Sequence, residues 1–106
     1  MFVCYVKAGQ CGKEIVIRVE KITECKARVS FETSCENIIK LNGYLENINV
    51  GPEMTLPLIE TEIYKKAAGV ICRTSCVAPA AILKAIEVNF GLFPPVKTEI
   101  NFLDIV

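Results

Sequence analysis

Histidine and tryptophan are both absent from this chain of 106 residues. Without imidazole there is no Ser/His/Asp or Cys/His catalytic set, and a mixed Cys/His zinc site is excluded. A surplus of one charge is absent too, because 12 Lys and Arg are balanced by 12 Asp and Glu. Nucleic-acid binders need a basic face, so neither a nucleic-acid partner nor electrostatic attachment to a membrane is expected. No long hydrophobic run occurs: the most apolar stretch, Val77 to Val96, is broken by Lys84, Glu87 and Asn89 and closes on Pro94-Pro95. A membrane span needs about 20 mostly apolar residues. The apolar start Phe2 to Val6 has neither a basic leader nor a cleavage site, so no signal peptide is expected. Gly9-Gln10-Cys11-Gly12-Lys13 lacks the length and the strand-to-helix setting of a phosphate loop. Glu53, Glu60, Glu62 and Glu99 form no paired-carboxylate motif and are expected on the solvated surface.

What is present is a 52% apolar composition, slightly rich for a globular chain and enough for a core without disulfide staples. We expect one domain over residues 1–106, in the cytoplasm, where six cysteines serve as thiols or ligands rather than as a disulfide framework.

Three segments alternate with the period of a strand. They are residues 2–8 (Phe2, Cys4, Val6 and Ala8 inward), 14–20 (Ile15, Ile17 and Val19 inward) and 25–31 (Cys25, Ala27, Val29 and Phe31 inward). Thr33-Ser34 can cap a helix over 35–47, where Ile38, Leu41, Leu45 and Ile48 fall at helical spacing. Residues 49–59, with Gly51, Pro52 and Pro57, read as a loop. A short helix follows at 60–68, with a Glu62/Lys66 pair and Gly69 as its stop, and the clearest helix covers 77–90, with Pro79 in its first turn and Gly91 beyond its end. After Pro94-Pro95, Val96, Thr98, Ile100 and Phe102 alternate with polar residues as a last strand. The order βββ-α-α-α-β predicts an α+β fold in two layers, a mainly antiparallel four-stranded sheet with helices on one face.

This arrangement sorts the cysteines. Cys4 and Cys25 fall on inward strand faces and read as small buried hydrophobes. Cys11, Cys35, Cys72 and Cys76 fall at turns or helix starts. Antiparallel connection alone puts the Cys11 turn and the Cys35 cap at one end of the sheet. Cys76, with Cys72 four residues behind it, joins them if the last helix runs beside the first. Thr33-Ser34-Cys35 and Thr74-Ser75-Cys76 form a short quasi-repeat, each opening a helix. In general, unpaired N–H groups and the dipole at a helix start favour thiolate, the form that binds metals and attacks electrophiles. Four such sulfurs are a donor set for zinc or an iron–sulfur cluster. Arg73, between two of them, is a candidate partner for a thiolate or an anion.

Three stretches carry a likeness over nearly the whole chain: Ala8-Gly9-Gln10-Cys11-Gly12, Ser34-Cys35-Glu36-Asn37-Ile38, and Cys72 to Cys76 followed by Pro79, Ala80, Ile82, Leu83 and Gly91. By these the chain resembles a family of small uncharacterised prokaryotic cysteine-containing proteins of unknown function. That family tends to have proline directly after the helix cysteine, where this chain has Val77. Locally, Cys76-Val77-Ala78-Pro79 is similar to the Cys-Pro-x-Pro helix start of small sulfur carriers, keeping the cysteine and the second proline, although the strand order differs.

Three functions follow as expectations. The first is zinc or iron–sulfur binding through Cys11, Cys35, Cys72 and Cys76; the second is a thiol-based sulfur carrier or redox protein using Cys76 or Cys35. The third is a homodimer or partner interface formed by the apolar tail, with Leu103, Ile105 and Val106, and by Val3, Tyr5 and Val16 on the outer sheet face. No substrate or reaction follows from the residues.

Overall fold

The computed structural model describes residues 2–7 and 11–104. The side chain of Phe2, the Ala8-Gly9-Gln10 part of the first turn and the Ile105-Val106 end lie outside the described residues. The alternating segments form the expected antiparallel meander: β1 (Phe2–Lys7), β2 (Glu14–Thr23) and β3 (Lys26–Thr33). In register, Cys4 pairs with Ile17 and Ile17 with Phe31; Val6 pairs with Ile15 and Ile15 with Thr33. Ile15, Ile17, Val19, Ala27, Val29 and Phe31 make the buried row. On the outer face, Arg18 bridges Glu32 at 2.7 Å and Arg28 bridges Glu20 at 3.3 Å.

Cys25 departs from expectation. It is exposed and lies in the turn between β2 and β3, not on the inner face of β3. β3 begins one residue later, at Lys26, where the β2 strand opposite carries a register shift between Lys21 and Thr23. The Cys25 N–H donates to Thr23 Oγ1 at 3.3 Å, and its carbonyl accepts from Val50 N at 2.9 Å.

The helix expected over 35–47 is one turn, α1 (Glu36–Ile39), followed by turns. Gly43 takes φ +89°, a conformation that ends helical propagation. Ile38, Leu41, Leu45 and Ile48 are buried all the same. Through this segment the chain lies along the outer edge of β3. Leu45 O accepts from Val29 N at 2.8 Å, and Ile48–Asn49 forms β4 opposite Ala27 and Lys26. Asn42 completes the cover: its Oδ1 accepts from Phe31 N at 2.8 Å and its Nδ2 donates to Phe31 O at 3.2 Å. The side-chain amide thus imitates a neighbouring strand. Asn42→Ala is expected to destabilise the fold by about 1–3 kcal/mol, because it orphans a part-buried donor and acceptor; urea unfolding measures this.

The stretch expected as a loop contains α2 (Val50–Thr55), with Pro52 in its first turn, followed by a single 3-10 turn at Leu58–Glu60. Then come α3 (Glu62–Ala68), with Thr61 as its N-cap and a Glu62–Lys66 contact of 3.9 Å, and α4 (Ala78–Asn89), which Gly91 closes at φ +72°. The sheet is four-stranded and antiparallel, in the order β1-β2-β3-β4, with α4 packed chiefly on β1 and β2. Its fourth strand is Ile48–Asn49 rather than the C-terminal segment. Residues 96–104 have no strand partner, and Val96, Ile100, Phe102 and Leu103 are exposed. Among the described residues, no helix is long and apolar enough to cross a membrane.

Candidate thiol site

The first two candidate cysteines converge through sheet geometry. The β1–β2 turn holds Cys11, and β3 ends beside the start of β2. Thr33 Oγ1 donates to Glu14 O at 2.7 Å and accepts from Cys35 N at 3.0 Å, so the start of α1 is tied to the end of the sheet that carries the Cys11 turn. Cys35 is the N-cap residue of α1, without a side-chain cap bond.

The direction of α4 decides where Cys76 lies. Lys21, on the inner face of β2 near the opposite turn, holds its ammonium 5.2 Å from the centre of the Phe90 ring. The C-terminal end of α4 is therefore at the β2–β3 turn. The 12 residues of α4 span about 18 Å. From Lys21 back to Ile15 along β2 is about 20 Å. From the β2–β3 turn α4 runs back across β1 and β2, and Cys76 lies two residues before its first residue. Cys76 is held by a turn in which its N–H donates to Arg73 O at 3.1 Å. The quasi-repeat is therefore not a structural repeat: a threonine hydroxyl holds Cys35, and a backbone carbonyl holds Cys76.

Cys35 and Cys76 are half-buried and pack against the same core cluster, whereas Cys11 and Cys72 are exposed. None of the six cysteines is in a disulfide. Cys4 is half-buried under α4, and desolvation pushes its thiol pKa up, which keeps it protonated at neutral pH. Arg73 is exposed. The four sulfurs have the right donor chemistry for zinc or an iron–sulfur cluster. Among the described residues, no group of three or more Cys, Asp or Glu lies where it could hold a metal ion. The pole gathers elements rather than a finished coordination shell.

Glu53 corrects the expectation of a solvated carboxylate, being 5% exposed. Its Oε1 accepts from Glu62 N at 2.6 Å and its Oε2 from Ile63 N at 3.2 Å, so it caps α3 together with Thr61, which accepts from Tyr64 N. No local motif signals this, because the helix that Glu53 caps begins nine residues later. An open cleft of about 380 Å³ beside it is lined by Tyr44, Glu60, Lys65 and Lys66 among others, and by none of the cysteines.

A family model described as "Family of unknown function (DUF6951)" matches residues 3–102. No curated protein and no solved structure matches the chain.

Proposed function

The chain belongs to that family of unknown function, and from this premise we propose that it is a thiol-based protein, a sulfur carrier or redox protein, with Cys76 as its reactive atom and Cys35 as the second thiol of the same pole. The observation that carries this reading is the direction of α4, fixed by the Lys21–Phe90 contact. That direction supports a shared pole for Cys76 and Cys35, and Cys76 precedes a helix start without a side-chain cap. The uncapped N–H groups and the positive end of the dipole suit the negative charge carried through the exchange step. The chemistry is exchange: the Cys76 thiolate attacks the outer sulfur of a persulfide donor, so that a Cys76 persulfide forms and the donor leaves as its thiolate, or attacks one sulfur of a disulfide, so that a mixed disulfide forms and the other sulfur leaves as a thiolate.

The four-ligand reading is supported by the donor set of Cys11, Cys35, Cys72 and Cys76. It needs the exposed Cys11 turn and the Cys72 connector to close on the ion, with binding coupled to loop ordering.

Alkylation at neutral pH, followed by peptide mass spectrometry, tests both. Cys25, exposed at the far pole, is the internal reference. Cys76 is expected to label several-fold faster than Cys25 despite its smaller exposure, and Cys4 to lag. Labelling in simple order of exposure ends the exchange reading. Stoichiometric zinc, or iron with sulfide, in anaerobically purified protein, together with slowed labelling of all four pole cysteines, replaces it with the four-ligand reading.

A further inference from the structure

The two edges of the sheet are treated unequally. The β3 edge is covered by β4, by the Leu45 carbonyl and by the Asn42 amide. β1, at the other edge, runs six residues with no proline and no charge before Lys7, and among the described residues no strand lies beside its outer side. Long, apolar, undefended edges are sites of strand addition. The row that β1 gives to the core is also less complete than its neighbours. Cys4 and Val6 are half-buried, whereas Ile15, Ile17 and Val19 of β2 are at most 1% exposed.

The same chain carries a strand pattern with no sheet to join. Val96, Thr98, Ile100 and Phe102 alternate with Lys97, Glu99 and Asn101, and Phe102 is 95% exposed. Lys97 and Glu99 meet at 2.9 Å, as residues two apart do on one side of an extended chain. All of residues 91–104 are exposed. Pro94-Pro95 stiffens the exit from α4, and the chain makes a tight turn there, with Val96 N donating to Pro94 O at 2.8 Å.

We propose that residues 96–102 of one copy add to the open edge of β1 in a second copy, and that the reciprocal exchange makes a two-fold homodimer. The segment is seven residues against six in β1, so one fills the other. Its apolar row then extends the helix-covered face beside Cys4 and Val6, and its polar row lies on the outer face beside Val3 and Tyr5. The exchange satisfies the β1 edge and the tail backbone together, and one self-complementary contact made twice closes the assembly without fibres. The occupant is a second copy because the chain itself supplies the matching strand on a stiff hinge. This inference is independent of the thiol reading.

The test uses the full chain under reducing conditions, so that no disulfide mimics a dimer. Light scattering is expected to give twice the 11.7 kDa chain mass. Amides of residues 97–103 are expected to be protected from hydrogen exchange. Mixing differently isotope-labelled copies is expected to give nuclear Overhauser contacts between the tail of one and β1 of the other. Ile100→Pro, and a chain shortened after Phe93, are expected to be monomers with unchanged circular dichroism from the helices. A monomer with a protected tail shows pairing within one chain and overturns the proposal. A monomer with an unprotected tail leaves the segment to a different partner and overturns it too, as does a dimer that survives Ile100→Pro.

Discussion

Ile17→Ala is expected to destabilise the fold by about 2–5 kcal/mol, the range for truncating a fully buried large aliphatic side chain. Ile17 is 0% exposed, lies in the middle of the longest strand, and has Cys4 and Phe31 as its register partners. Neighbours on both sides and α4 above leave little room for collapse, so a cavity persists. Native stability in general is about 5–15 kcal/mol, so this one change takes a large share. Denaturant unfolding reads it as a lower midpoint at unchanged slope. Ile17→Val, which removes only one methyl, is expected to cost about 0.5–1.5 kcal/mol. Equal costs for the two would show that packing at this site is loose.

Glu53→Leu ranks next, at about 2–4 kcal/mol, because it leaves the N–H groups of Glu62 and Ile63 without their acceptor. Leucine keeps the apolar bulk of the side chain, so the loss reports the capping bonds rather than a cavity. Glu53→Gln retains one acceptor oxygen and is expected to recover about half. Thermal unfolding of the two variants separates the contributions. Hydrogen exchange of residues 62–66 should accelerate in Glu53→Leu well before the β2 amides respond, since α3 opens locally. Uniform acceleration across the molecule would contradict a local cap.

The alternation of β1 to β3 was readable because a strand with one wet face must place every second residue inward, and Ile15, Ile17, Val19, Ala27, Val29 and Phe31 do so. α4 was readable because Pro79, an apolar stripe and Gly91 all agree on its extent. Its direction was not, since periodicity carries no information about which pole a helix leaves from. The Lys21–Phe90 contact supplies that. The turns after α1 were missed because Ile38, Leu41 and Leu45 are buried in either conformation. α1 stops at Ile39, Gly43 keeps it from resuming, and Asn42 binds a strand far from it in sequence.

Sequence by itself determined the three-stranded meander, the long last helix and the place of the Cys11 turn and the Cys35 cap at one end of the sheet, because each follows from local periodicity or from antiparallel connection. Tertiary structure alone decided that Cys25 is a turn residue, that Glu53 is a buried cap, that the fourth strand is Ile48–Asn49, and that residues 96–104 lie exposed outside the sheet. The physical reason is common to all four. A hydrogen bond, or a place in a sheet, belongs to a pair of segments, and the second member of each pair is not written beside the first.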